Sequence, residues 1–296
     1  MTYKTGQRSR VPKTSYDITP PGQFETTVLE NSRLSDRYFL MILARPQGFP
    51  DPAPGSFLHV GVPSAGRFFL RRPFSIFDCD EKTISLLIVE KGEGTHILRA
   101  LVANDTVDFL GPLGSAFPPL CQRKIMAVTG GVGLAPLYYY AKYWGRRQDR
   151  QGLPADYQLL YGGRTKADLF LSKIDLSGEE VHLATEDGSH GFAGNSVSLA
   201  EKLLSQSKVD AIFSCGPTPM LKVLSELAAR LDIPHWVSLE NRMACAVGAC
   251  RSCVIPVRAE SITGAVGGSV VSYKTVCHDG PVFNADQIMW ETIPEP

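Results

Sequence analysis

The sequence predicts three units in series: an antiparallel β-barrel or sandwich, an α/β unit built on a parallel sheet, and a small cysteine-rich unit. Three observations predict this. Between Phe24 and Phe117, short runs rich in β-branched and aromatic residues alternate with Pro, Gly and Asp punctuation. From Lys124, strand-like and helix-like runs alternate, the signature of parallel strands with helices on their faces. Near Pro234 that alternation ends, and residues 236–296 hold four of the seven cysteines.

In the first unit the predicted strands are FETTVLENS, RYFLMILAR, SFLHVGVP, FFLRRPFSIF, TISLLIVEK and DTVDFLGPLG, with one helical insert, THILRALV, after a Gly-rich turn. In the second, KIMAVTGG reads as a buried strand and GLAPLYYYAKYWGRR as a helix. YQLLYGGR, VHLATEDGS and VDAIFSCGP read as further strands, and SVSLAEKLLSQ and PTPMLKVLSELAARL as helices. In the last helix Leu221, Leu224, Ala228 and Leu231 recur at spacings of three and four, giving one apolar face. The expected divisions are an extension over 1–20, then 21–120, 121–235 and 236–296. The last is too small to rest on a core alone and would gain from a metal centre.

The chain has 296 residues, with 30 Lys+Arg against 30 Asp+Glu. A balanced charge argues against a nucleic-acid partner. At 44% hydrophobic and 20% charged it can bury sizeable cores. No apolar run approaches the ~18 residues of a membrane span. The basic start MTYKTGQRSRVPKT lacks the apolar stretch of a secretory signal, so the expected location is the cytoplasm.

The cysteines fall as Cys245-x4-Cys250-x2-Cys253-x23-Cys277. This order is the one plant-type ferredoxins use for a [2Fe–2S] cluster. Two sulfide-bridged irons need four thiolates, and a tight loop of small residues (Ala244, Ala246, Gly248, Ala249, Ser252) lets backbone N–H groups approach the sulfur. A four-cysteine zinc site usually shows two C-x2-C knuckles, and only one is present. A Rieske-type centre needs two histidines, and only His278 lies within this unit. Inert buried thiols are the bland alternative. A side chain at Ala246 is accommodated only at a negative φ, which is the conformation expected there. The long final gap places its excess in 260–269.

Other runs suggest nucleotide chemistry. Arg72-Pro73-Phe74-Ser75 ends a strand: the Arg can clamp a pyrophosphate, the Phe can cover a flavin ring and the Ser can reach flavin N5. Read alone, an exposed strand end explains it too. Gly92-Glu93-Gly94-Thr95 precedes a helix and is either a phosphate cradle or a capped turn. Gly111-Pro112-Leu113-Gly114 is compatible with a tight turn. Gly130-Gly131-Val132-Gly133-Leu134-Ala135-Pro136 joins a strand to a helix at the phosphate-binding place of a dinucleotide fold, with Pro136 replacing the third glycine. Cys215-Gly216-Pro217 ends a later strand at the ligand-binding edge of such sheets, where Cys215 is also simply a structural thiol.

In this order the motifs resemble the ferredoxin–NADP reductase-type flavoproteins. S-L-E-N-R-M-A-C-A-V-G-A-C-R-S-C at 238–253, with V-C-H-D-G-P-V-F at 276–283, looks like the electron-transfer subunits of dihydroorotate dehydrogenase B. The resemblance spans roughly 22–290 and leaves out the first twenty residues. It implies an FAD-binding barrel, an NAD-binding α/β unit and a [2Fe–2S] unit. By position it implies that Arg72, Pro73, Phe74 and Ser75 meet the flavin and its pyrophosphate, with Leu87, Ile88 and Val89 passing near its adenine side and Gly94 and Thr95 at the pyrophosphate. Gly131, Gly133 and Pro136 would line the pyridine-nucleotide side, with Cys215 and Gly216 near the nicotinamide. Ser75 and Cys215 would be the catalytic pair, and Cys245, Cys250, Cys253 and Cys277 would hold the cluster. Cys79 and Cys121 are expected bystanders.

The implied role is an oxidoreductase subunit of pyrimidine biosynthesis. It would relay electrons between NAD(H) and a separate FMN-containing subunit that oxidises dihydroorotate, the two forming a heterotetramer. Rival readings are a ferredoxin-, hydrogenase- or sulfur-reductase-linked relative, and a non-catalytic zinc- or redox-sensing module. Some ferredoxin-linked relatives place an acidic residue where this chain has Cys245. Arg164 and Lys166 leave NAD against NADP open.

Overall fold

The computed structural model describes residues 20–63, 66–120, 123–146, 156–170, 180–258 and 271–293. The expected extension over 1–19, Cys121 and the 260–269 segment lie outside the described residues. No helix among the described residues is long and apolar enough to cross a membrane.

Strands β1 (Gly22–Arg33), β2 (Tyr38–Ala44), β3 (Phe57–Val60), β4 (Arg72–Cys79), β5 (Thr83–Val89) and β6 (Thr106–Leu113) close into an antiparallel barrel in the order β1-β2-β5-β4-β3-β6. Closure, left open against a sandwich by the strand pattern, is achieved by the long β1. Its first half pairs with β6 and its second with β2, the register shifting between Val28 and Glu30. No unpaired edge is left in the ring. The interior follows the period of two: Phe39, Met41 and Leu43 on β2, and Ile84, Leu86 and Ile88 on β5, point inward. Helix α1 (Glu93–Ala100) follows β5. Its last carbonyls would be orphaned, but the Asn31 amide donates to Leu98, Arg99 and Leu101 oxygens at 2.9, 3.1 and 3.0 Å.

The second unit carries β7 (Lys124–Gly130), α2 (Leu134–Gly145), β8 (Asp156–Gly163), β9 (Glu180–Thr185), β10 (Phe192–Ala193), α3 (Ser196–Leu204), β11 (Ala211–Cys215), α4 (Thr218–Arg230) and β12 (His235–Ser238). Its sheet runs β10-β9-β8-β7-β11-β12-β15, where β15 is Val282–Asn284. Ile125–Val128 and all of β11 are buried, as strands covered on both faces must be. The alternation therefore does not end near Pro234. His235–Ser238 forms one more parallel strand, and β15 adds an antiparallel edge. Both strands are too short to show a pattern of their own. On α4, Leu221, Leu224 and Ala228 are buried as expected, whereas Leu231 lies past the helix end and is exposed. A two-stranded ribbon, β13 (Val254–Arg258) with β14 (Val271–Thr275), completes the strands among the described residues.

Specific contacts lock these parts together. Phe77 of β4 stacks on Tyr138 of α2 at 4.3 Å, and the Tyr139 hydroxyl donates to the Pro52 carbonyl at 2.8 Å. The G-P-L-G run packs against the C-terminal part: a Cβ on Gly114 would collide with the Pro281 ring. The neighbouring Ser115 hydroxyl donates to Val282 O at 3.1 Å and accepts from Val282 N at 3.2 Å. Cys79 lies in the barrel core, and burial pushes its thiol up to about 12, the state of an inert side chain.

Candidate functional site

A cavity of about 430 Å³ opens where the three parts meet. The barrel supplies Phe57, Phe68, Arg72, Pro73, Phe74, Ser75, Leu87, Val89 and Lys91–Thr95. The parallel-sheet unit supplies Val132, Ala135 and Cys215. The third wall is Ser238–Met243 with Pro281.

Strand period explains what does and does not reach this cavity. Leu87 and Val89 face it, while Ile88 between them points into the barrel interior and is 1% exposed. Gly131, Gly133, Pro136 and Gly216 do not line the cavity. Gly133 is where α2 starts, and a Cβ there would overlap the Cys215 carbonyl and stand 2.7 Å from the Gly216 nitrogen. Gly216 has φ +157 and packs against Met220. Pro136 is buried in the first turn of α2.

At the cavity's polar end, the Arg72 guanidinium lies 5.6 Å from the Phe68 ring centroid and donates to the Leu70 carbonyl at 2.7 Å. It pairs with no carboxylate among the described residues. A Cβ on Gly94 would stand 3.1 Å from its Nη2, so glycine lets the cation lie against the start of α1. The Thr95 hydroxyl accepts from the Lys91 and Gly92 amides at 2.9 and 3.1 Å and donates to the Gly92 carbonyl at 2.9 Å. An unpaired cation beside a helix N-terminus suits a diphosphate, and the apolar wall of Phe57, Phe74, Leu87 and Val89 suits a flat ring. The residues thus fit a flavin dinucleotide.

Two ionisable groups close the opposite side. Cys215 is 3% exposed, and burial, helped by nearby Glu240, raises its thiol to about 12, so it is neutral. The Glu240 carboxyl opens onto the cavity, yet surrounding protein raises it above the ordinary range, opposed by Lys91. The Ser238–Met243 wall was not singled out by residue chemistry. Its signal was its place in the 238–253 run that carries the family resemblance, directly before the cysteine loop.

In that loop, Gly248 N approaches Cys277 Sγ at 3.2 Å, Cys250 N approaches Cys245 Sγ at 3.3 Å and Cys277 N approaches Cys253 Sγ at 3.4 Å. The Cys250 thiol meets the Ser252 hydroxyl at 3.2 Å. Among the described residues no three His, Cys, Asp or Glu side chains converge on the position of a single ion. An all-sulfur donor set with amides aimed at the sulfurs fits an iron–sulfur cluster. Ala246 departs from expectation: its φ is +58, and Arg251 stands at +55, whereas Gly248 takes +79 without strain. The N–H···S contacts and this left-handed path occur in the same loop, and such a conformation costs a non-glycine residue about 1–2 kcal/mol.

A closed antiparallel barrel and a parallel nucleotide-type sheet sharing one cavity, with a cysteine loop following the cavity's third wall, define a reductase of the ferredoxin–NADP reductase class extended by an iron–sulfur unit. Residues 240–289 match the family described as the iron-sulfur cluster binding domain of dihydroorotate dehydrogenase B. The chain belongs to the dihydroorotate dehydrogenase B electron transfer subunit family. It is 34% identical over 268 residues to "Dihydroorotate dehydrogenase B (NAD(+)), electron transfer subunit" of Caldanaerobacter subterraneus subsp. tengcongensis, covering 90% of this chain and 99% of that protein. Among solved structures it is similar to an NADH-dependent reduced ferredoxin-NADP oxidoreductase studied for flavin-based electron bifurcation (TM-score 0.75, 26% identity, 90% of each chain covered). It also shares its fold with a ferredoxin NADP+ reductase from Neisseria gonorrhoeae with bound FAD and NADP (TM-score 0.59, 16% identity, 74% of this chain and 94% of that one).

Proposed function

We propose that this chain is the electron-transfer half of a two-subunit dihydroorotate dehydrogenase. It takes FAD in the central cavity, a [2Fe–2S] cluster on Cys245, Cys250, Cys253 and Cys277, and NAD(H) at the carboxyl ends of β7 and β11. Its partner is an FMN-containing subunit that oxidises dihydroorotate, the pair assembling as a heterotetramer in the cytoplasm. One observation carries this reading. Met243 lines the cavity and Cys245 lies two residues further along, so the cavity wall continues into the cysteine loop.

Held by Arg72, Phe74 and Ser75, a flavin would supply hydride chemistry toward a nicotinamide and single-electron chemistry toward a cluster on the four cysteines. The protein's part is placement. Arg72 and the start of α1 hold the diphosphate, with Gly94 and Thr95 shaping that turn. Phe74, Pro73, Leu87 and Val89 exclude water from the ring's surroundings, and Ser75 offers a hydroxyl to it. Cys215, kept neutral by burial, packs where the nicotinamide meets the ring, and Gly216 lets the chain pass closely. Gly131, Gly133 and Pro136 form the turn that receives the pyridine dinucleotide. The proposed division of labour is barrel 21–120, nucleotide unit 121–235 and cluster unit 236–296.

Cys245 favours this reading over a ferredoxin-linked one, because the first ligand position carries a thiol. The test is purification with the co-expressed partner, an optical spectrum, iron and labile-sulfide analysis, and an assay with dihydroorotate and NAD+. Flavin with equal iron and sulfide and dihydroorotate-dependent NADH formation are expected. Zinc without sulfide, or no flavin after anaerobic reconstitution, sinks the proposal.

A further inference from the structure

Gly131 stands at φ +57 in the turn from β7 to α2. A Cβ built on it would meet one group within 4 Å, the Tyr38 hydroxyl at 3.5 Å. The open face of the glycine turn thus looks onto a hydroxyl from the other side of the cleft. Tyr38 opens β2 of the barrel and pairs with Val89, itself a wall of the cavity. Its ring is 9% exposed and packs on Phe170 with centroids 4.5 Å apart. Phe170 in turn stands beside Tyr161, whose hydroxyl donates to the Asp168 carbonyl at 2.8 Å. The ring of Tyr38 is therefore fixed, while its hydroxyl has no hydrogen-bond partner among the described residues. A phenylalanine would pack equally well, and buried tyrosines ordinarily spend their hydroxyl.

We propose that the Tyr38 hydroxyl donates a hydrogen bond to the diphosphate of a pyridine dinucleotide seated on the Gly131–Leu134 turn. The inference rests on the reading that this turn receives NAD(H). The turn's amides and the α2 N-terminus favour an anion there, and the phenol is the group that the Cβ direction of Gly131 meets. Burial, with Asp168 nearby, raises the Tyr38 phenol above its ordinary range against the opposing charges of Arg37 and Arg164, so it remains a protonated donor. Because the hydroxyl comes from the barrel and the turn from the sheet unit, the contact completes only when both are docked.

The test uses the full chain with its flavin, titrated in the oxidised state with NAD+ and with ADP-ribose in a calorimeter. Tyr38→Phe is expected to weaken both ligands by about tenfold, the scale of one hydrogen bond to a charged group, with flavin content and melting temperature unchanged. Tyr38→Leu, which removes the ring, is expected to lower the melting temperature as well. Unchanged affinities in Tyr38→Phe overturn the proposal, as does a loss confined to NAD+, which would place the hydroxyl at the nicotinamide. If the unaltered protein binds neither ligand, the assignment of the turn itself fails.

Discussion

The Arg146 guanidinium forks across Asp78, with Nη1 and Nη2 each 2.6 Å from a carboxylate oxygen, and Nη1 also donates to the Cys79 carbonyl at 3.0 Å. The end of α2 is thereby tied to β4, the strand that begins with Arg72. Partial exposure of the pair limits its contribution to about 1 kcal/mol. Arg146→Ala should lower stability by that amount in urea denaturation, and Arg146→Lys should restore only part of it, because an ammonium cannot fork. Equal stability of all three proteins would contradict the tie.

Gly133 admits no side chain, since a Cβ would run into the backbone of Cys215 and Gly216. Gly133→Ala must push α2 away from β11. Flavin content should survive, because Arg72 and α1 lie on the barrel, while reduction of the flavin by NADH should slow at least about tenfold, the effect of displacing a positioning element. Stopped-flow reduction decides it.

Arg72 lines the cavity and pairs with no carboxylate among the described residues. Arg72→Ala should weaken flavin retention by about tenfold to a hundredfold, the range for a hydrogen bond to a charged group. Dialysis followed by the flavin-to-protein absorbance ratio measures this. Undiminished retention would move the diphosphate elsewhere.

Cys253 is 1% exposed and its sulfur receives the Cys277 amide. Cys253→Ser should lose iron and labile sulfide yet keep flavin and NADH-dependent dye reduction. Transfer from the dihydroorotate-oxidising partner should fall to background. Retained partner-linked activity without iron would remove the cluster from the route.

Two buried histidines make stability depend on acid. Burial, reinforced by the Arg71 and Arg72 charges, lowers His59 to about 4, and burial lowers His235 to about 3. In the unfolded chain both take up protons below about pH 6.5. The unfolded state thus binds more protons between those values. Stability is full above pH 6.5 and falls as pH drops, by about 1.4 kcal/mol per pH unit for each histidine. The neutral His235 ring has both nitrogens satisfied: the Ser225 hydroxyl donates to Leu221 O at 2.7 Å and so accepts from Nδ1, leaving Nε2 to accept from Ser214 at 2.7 Å. Urea midpoints measured from pH 7 to 5 should decline, and a flat profile would refute the account.

Much of the fold was legible because its patterns are long. Ile84-x-Leu86-x-Ile88 shows period two, and the α4 sequence shows spacings of three and four. What the sequence hid were features set by distant partners. Closure depends on β1 pairing with two strands at once, and β12 and β15 are four and three residues long, meaningful only beside β11. Leu87, Ile88 and Val89 read alike as an apolar run, yet only the odd positions reach the cavity. The positive φ of Ala246 belongs to the path of the cysteine loop, which local propensity does not encode. The glycines at 131 and 133 were legible as a turn, but their different neighbours, a hydroxyl and a strand end, were not.

Ser238 and Val282 face each other across β12 and β15. Everything from Leu239 to Pro281 therefore departs from and returns to one point on the sheet rim. In topological terms the four cysteines ride on an excursion within a hairpin. Replacing that excursion with a two-residue turn would leave both strands in register but would also open the cavity on the side walled by Leu239–Met243 and Pro281. The single-electron centre can thus be gained or lost by one insertion or excision, without rebuilding the barrel or the sheet.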